Sequence, residues 1–303
     1  MHRPLRIGTS GWNYPSGRGT WNGIFYPEQR GPGFDELRFY AERFNTVEVN
    51  STFYGQPRAT VSLGWVKRTP PGFEFAVKLY QKFTHPNLTT DKTPVSAADI
   101  DAFKSGIEPL AAGDRLGPLL AQFPASFKDS PEARDYLAWL LRTFADYPVA
   151  LELRHKSWSD EAAAVVDLLQ PHRATWTQID EPKFRFSIRQ DLLTHVKDFY
   201  YLRLHGRNAE QWWQHQQSED RYNYLYTEAE LNPFAETVKA ARELVKKQYI
   251  YFNNHFAAQA VADAAVLRHL LDEPVDSPMP AELVTRYPML EGKVATLPPS
   301  RLL

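Results

Sequence analysis

The chain has 303 residues, 43% apolar and 23% charged, which fits a folded globular protein and excludes wholesale disorder. Lys and Arg number 35 against 36 Asp and Glu, a formal charge of −1, so no global basic field exists to hold nucleic acid. The absence of cysteine excludes disulfide frameworks, iron–sulfur clusters, thiolate zinc sites and cysteine nucleophiles. No uninterrupted apolar run approaches the roughly 20 residues of a membrane span, and the start Met1–Arg6 has no signal-like apolar stretch behind it. A cytoplasmic protein without a membrane partner is the expectation.

In chain order, short apolar runs predict strands over Leu5–Ser10, Thr46–Ser51, Phe73–Leu79, Leu116–Phe123, Pro148–Arg154, Ala174–Ile179, Phe199–His205 and Gln248–Asn253. Several have no wet face, as strands buried on both sides of a parallel sheet require. Helical periodicity fills the intervals. Leu37, Tyr40, Ala41 and Phe44 form one stripe, and Thr60–Arg68 a weaker one. Ile100, Phe103, Ile107 and Leu110 follow a capping-box-like Ser96–Asp99 pair. Tyr136–Phe144, Ala162–Leu169 and the weak segment Leu192–Lys197 come next. Asn232 and Pro233 read as an N-cap and first helical residue, and the last helix covers Ala258–Leu271. Eight strands alternating with helices predict an α/β fold, a single TIM-barrel-like (β/α)8 domain over 1–271. A long loop follows strand 7 (Arg207–Glu230), and a Pro-rich tail over 272–303 packs on the barrel.

Barrel chemistry sits at the C-terminal ends of the strands, where alternate side chains point inward. Thr46, Glu48 and Asn50 share one strand face, as do Glu74, Ala76 and Lys78 on the next. Glu152 and Arg154 do so on strand 5, and Tyr201, Arg203 and His205 on strand 7. Charged inward residues between apolar outward ones are unusual, because barrel interiors favour branched apolar side chains. Two readings stand side by side: a reactive site, or interior ion pairs such as Glu48 with Lys78 or Arg203. Lys78 suits a proton donor, an anion clamp or a Schiff-base amine. Gln122, His85, Arg207 and Asn253 or Asn254 add polar groups to the same rim, and Trp12, Tyr14, Phe53, Tyr54, Trp158, Tyr222, Tyr224 and Tyr226 add aromatic walls.

Dinucleotide, phosphate-loop, nucleophile-elbow and His-Glu-x-x-His motifs are absent. No cofactor is expected. A divalent metal on Glu48, Glu152, Asp180 and a histidine has no spacing to support it.

Six segments carry a resemblance. They are Gly8–Tyr14, Phe44–Tyr54, Phe73–Lys78, Leu151–Trp158, Arg203–Arg207 and Tyr251–Asn254. Together and in this order they resemble the YecE-like proteins, a domain of unknown function (number 72), from about Arg6 to Leu271. The resemblance implies a TIM-barrel-like fold and no established reaction. Its motif positions fall on Ser10, Trp12, Glu48, Asn50, Lys78, His85, Glu152, Arg154, His205 and Asn253. The chain departs from the family near Asn254–Ala260, where members tend to carry a glycine before the last helix, and at Asp263, where they tend to carry asparagine. A backbone anion site at that helix start would want the glycine.

The residues support an enzyme acting on an anionic substrate, small or oligomeric, that bears phosphate or carboxylate. A nucleic-acid-derived substrate is one version, unsupported by net charge. Lys78, Arg154, Arg203 and Arg207 would gather the charge, Glu48 or Glu152 would serve as general base, and His205 or His85 as general acid. Ser10, Trp12, Asn50, Tyr54, Gln122, Trp158 and Asn253 would bind substrate. The alternatives are a glycoside hydrolase using Glu48 and Glu152, and a non-catalytic metabolite-binding or sensing module. The oligomeric state is not legible.

Overall fold

A computed structural model describes residues 5–85, 93–190, 196, 198–217, 219–275 and 277–297. Among them nine strands form: β1 (Leu5–Thr9), β2 (Thr46–Val49), β3 (Glu74–Lys78), β4 (Leu116–Gln122), β5 (Val149–Glu152), β6 (Ala174–Trp176), β7 (Gln178–Asp180), β8 (Phe199–Leu204) and β9 (Lys247–Phe252). All pair in parallel, in two sheets ordered β1-β9-β8-β7 and β2-β3-β4-β5-β6. The fold is α/β. The eight-strand expectation differs at one place, where the sixth predicted strand breaks at Thr177. Its first half pairs with β5 and its second with β8.

The sheets are open rather than one continuous ladder. β1 and β2 meet through a single parallel bridge, Ser10 with Glu48. Their approach is close enough that a Cβ on Gly8 would lie 2.3 Å from the Thr46 carbonyl oxygen, so only glycine fits there.

Two apolar clusters follow from strand alternation. The larger packs outward strand residues such as Val47, Val49, Leu151, Leu202 and Leu204 against the helices. The smaller lies between the inward faces: Ala76, Leu120, Ala150, Phe199, Tyr201, Tyr249 and Tyr251. Aliphatic and aromatic side chains, three of them phenolic, therefore occupy the middle of the molecule, and charged ones stand at both ends of it.

Most helices lie where periodicity placed them, and the capping box of Ser96 with Asp99 forms at the start of Ala97–Ala112. Asn232 and Pro233 do not start a helix. The helix runs Glu228–Arg242 from a Thr227–Glu230 capping box, whose two reciprocal bonds outweigh the one backbone bond that Pro233 removes inside it. The segment Leu192–Lys197 lies outside the described residues except Val196. Ala257 and Ala258, just before the helix Gln259–Leu270, both hold left-handed φ angles, 49° and 64°. Glycine adopts these without strain, so the glycine that the resemblance implies at this point would have a physical reason. Beyond residue 276, Leu283, Val284, Tyr287 and Leu290 are buried in the larger cluster, and Met279 bridges to Thr296. Among the described residues no helix is long and apolar enough to cross a membrane.

Candidate functional site

The C-terminal ends of the strands open into a cavity of about 910 Å³. It lies where a parallel α/β fold places ligands, because loops at that end converge over the strand termini. β3 delivers Lys78, β4 Gln122, and β8 Arg203, while Asn50, Glu181 and Asn253 follow directly after β2, β7 and β9, and Arg154 stands two residues past β5. Trp12, Tyr14, Tyr54, Trp212, Trp213 and Tyr222 are among its aromatic walls.

Directly beneath this cavity the inward charges have found one another. Arg203 Nη2 and Nε donate to the two carboxylate oxygens of Glu48, at 2.7 and 3.0 Å, and Nη1 donates to Glu152 Oε2. Ser10 Oγ and the Tyr201 hydroxyl complete Glu48, each at 2.7 Å. Arg154 Nε donates to Glu152 Oε1 at 2.7 Å, and its Nη1 stands 3.4 Å from Glu181. Burial pushes the Glu152 carboxyl up, but the Arg203 and Arg154 guanidiniums outweigh it and hold it well below the usual carboxylate range.

These bonds correct four expectations. Glu48 is fully buried, lies off the cavity and has four donors on its two oxygens, so it is not free to act as a general base. Glu152 is equally buried and ionised. The glycosidase pair fails with them, since both carboxyls are buried and bonded to the same Arg203 guanidinium, which leaves neither free to protonate a leaving group or to attack a sugar. His205 is fully buried too. Burial, then Arg154 and Arg203, lower its pKa to about 3, so it is neutral and no proton donor at pH 7. Arg154 Nη2 points at its Nε2 from 3.2 Å, and the Asn253 amide nitrogen lies 2.9 Å from its Nδ1.

Other expected residues divide cleanly. Trp12, Asn50, Tyr54, Lys78, His85, Gln122, Arg154, Arg203 and Asn253 line the cavity. Ser10 lies below it, bound to Glu48. Trp158 is no platform: it is fully buried, stacked on Phe127, with its indole N–H on the Phe127 carbonyl. Arg207 turns away, because Gly206 before it adopts a left-handed φ of 84° and Asp180 takes its guanidinium at 2.8 and 3.0 Å. Tyr226 also donates to Asp180, at 2.7 Å, and neither it nor Tyr224 lines the cavity. With Asp180 so engaged, and Glu48 and Glu152 saturated, the metal set does not assemble. Among the described residues no three metal-ligating side chains cluster.

Glu181, His255, Arg221 and the aromatic group Phe184, Phe186 and Trp213 were not singled out from the sequence, yet they line the cavity. Glu181 had a usable signal, since it stands two residues past a predicted strand end. Burial raises its pKa against the pull of Arg154. The three aromatic rings lie 5.7 to 6.0 Å apart, on loops whose meeting no local pattern announces.

Lys78 has a different environment from every other inward charge. Its Nζ donates to Gln122 Oε1 at 2.6 Å and lies 4.1 Å from the Phe53 ring centroid. No carboxylate bonds it among the described residues. Burial, then the Arg203 guanidinium and, less strongly, that of Arg154, lower its pKa from the usual 10.5 to about 7, against the opposing pull of Glu152 and Glu48. At neutral pH this amine can both hold and release a proton.

The family model described as "Protein of unknown function DUF72" matches residues 6–284. The chain belongs to this family. Of the curated proteins, it is 28% identical to the UPF0759 protein YunF of Bacillus subtilis over 277 residues, covering 88% of this chain and 95% of YunF. It is 27% identical to YecE of Escherichia coli over 153 residues, 50% of this chain and 48% of YecE. The YecE-like resemblance of the motifs is thus borne out. A crystal structure of a DUF72 protein from Thermotoga maritima superposes with a TM-score of 0.76 at 36% identity, over 89% of this chain and all of that one. Another, from Enterococcus faecalis, gives 0.76 at 24% identity over 90% and 97%, and speaks to the fold alone.

Proposed function

We propose that this DUF72 chain is an enzyme for a small anionic substrate, which binds in the cavity at the strand ends with Lys78 as the proton-exchanging amine. The observation that carries the reading is the Lys78 environment: a cavity-lining amine flanked by two guanidiniums, bonded to an amide rather than a carboxylate. Enzymes tune lysine toward neutrality by this combination of burial and cationic neighbours. Arg154 is the anion clamp, because its guanidinium lines the cavity while Glu152 and Glu181 fix its plane. Arg203 is the positioning residue beneath both. His85 also lines the site, but burial, then Lys78 and Arg154, lower its pKa to about 3, so like His205 it is neutral and no general acid at pH 7.

The closed (β/α)8 cylinder belongs to the same reading. The Ser10–Glu48 bridge joins one pair of sheet edges, and the broken strand of β6 and β7 runs from one sheet into the other.

The test is a panel of phosphate- and carboxylate-bearing metabolites, read by thermal shift and by mass spectrometry of the recovered compounds. At about 100 times its Kd a true ligand stabilises by roughly 2.7 kcal/mol, which is roughly 5 °C in Tm for a chain of this size. Arg154→Ala abolishes the shift, and wild-type protein converts the compound. Stabilisation that survives Arg154→Ala, or a ligand that is always recovered unchanged, contradicts the proposal.

A further inference from the structure

We propose that Lys78 forms a covalent imine with the carbonyl carbon of an anionic aldehyde or ketone. The inference rests on the cavity reading above and deepens it by naming the substrate class. Three features of the geometry point to it. Lys78 Nζ faces the cavity with an amide and an aromatic ring as partners, so no carboxylate has to be displaced before it attacks. Arg154 lines the same cavity and can hold a carboxylate or phosphate there. Glu48 and Glu152, the two carboxylates whose pull reaches Lys78, are both bonded to Arg203, so neither competes as an ion-pair partner.

The charged groups acting on the amine come from several elements: Arg203 on β8, Glu152 on β5 and Arg154 after it, and Glu48 on β2. The cations among them act against an ammonium, and that is the arrangement by which a cationic neighbour activates a lysine nucleophile. Aromatic walls suit a planar carbonyl compound lying across them.

The step balances without any oxidant or reductant. The Lys78 nitrogen lone pair forms a bond to the carbonyl carbon while the π pair moves to oxygen. One proton passes from nitrogen to that oxygen, giving the carbinolamine. The remaining proton on nitrogen passes through solvent to that oxygen, the C–O bond breaks, water leaves, and the nitrogen pair closes the C=N bond of the neutral imine. Solvent in the open cavity, which Lys78 lines, can carry these protons.

The experiment treats the full chain at pH 7 with pyridoxal 5′-phosphate, a planar aldehyde bearing phosphate, and in parallel with uncharged-tail pyridoxal. Borohydride then fixes any imine, and peptide mass spectrometry reads the adduct on each lysine. The expected result is an adduct on Lys78 at least about tenfold faster than on exposed lysines, with pyridoxal about tenfold slower, in line with a charge-assisted contact. The Lys78 rate should rise through about pH 7, the range where the amine loses its proton. Lys78→Arg should keep the fold by circular dichroism and lose that adduct alone. Labelling of Lys78 no faster than of surface lysines overturns the inference, and equal labelling by pyridoxal overturns its anionic part. If anionic metabolites still stabilise the protein through Arg154 while Lys78 escapes trapping, the imine falls and the cavity function stands. If neither occurs, both fall.

Discussion

Glu74 and Lys78 stand at the two ends of β3, on the same inward face, and meet opposite fates. Glu74 collects Arg6 Nη2 at 2.8 Å, Lys247 Nζ at 3.0 Å and the Tyr249 hydroxyl at 2.7 Å. Burial raises its pKa, but those partners prevail and the carboxyl ends up below its usual value. Lys78 has an amide and a ring, opens onto a cavity, and is held near neutrality instead. The cluster of Arg203, Glu48 and Glu152 just below Lys78 resembles the Glu74 end: charge fully consumed by partners. An inward charge is therefore no sign of chemistry by itself. A charge left without its counter-ion beside an open cavity is.

The comparison breaks most visibly at Arg203. Arg203→Leu strands two buried carboxylates, so unfolding free energy should fall by about 3–5 kcal/mol in urea titrations. A loss below about 1 kcal/mol would mean that the two glutamates do not depend on it. Glu74→Gln removes the shared partner of Arg6 and Lys247. Both of those reach solvent in part, so the loss should be smaller, about 1–2 kcal/mol. Lys78→Met should have the reverse sign. It deletes a desolvated amine that has no carboxylate, so at pH 6 the variant should be more stable than wild type by roughly 1 kcal/mol.

The pH dependence of that difference follows from the depressed pKa. Between about 7 and 10.5 the unfolded chain keeps the Lys78 proton that the folded chain releases. The unfolded state then binds more protons, so wild-type stability gains with rising pH. The destabilising contribution is complete below about pH 7 and vanishes above 10.5. The advantage of Lys78→Met should accordingly shrink from pH 6 to pH 9 in paired denaturation curves. A constant or growing advantage would contradict it.

Strand positions were legible because buried parallel strands are short apolar runs, and all eight predicted runs contain observed strand. Alternation correctly put Glu48, Lys78, Glu152 and Arg203 on inward faces. What alternation cannot carry is which inward charge bonds which, since Glu48 and Arg203 are 155 positions apart. Glu48 and Glu152 therefore read as catalytic carboxylates when they are counter-ions. The alternative of an interior Glu48–Arg203 pair, weighed from the same residues, is the one that forms. Trp158 and Arg207 were misplaced for a related reason. A loop residue's direction depends on local turns such as the one at Gly206, and on remote partners such as Asp180. Pro233 misled because a single proline is outweighed by a complete capping box upstream.

The account turns on one ionisation. The protein can be labelled on its lysine side chains with ¹⁵N and ¹³C and its ammonium resonances followed by NMR from pH 5 to 11, with Lys78→Met assigning the signal. The account predicts that Lys78 titrates with a midpoint near 7 while the exposed lysines titrate near their usual value. A Lys78 midpoint at about 10 or above would show an ordinary, fully charged ammonium and would contradict the reading of this cavity as a reactive site.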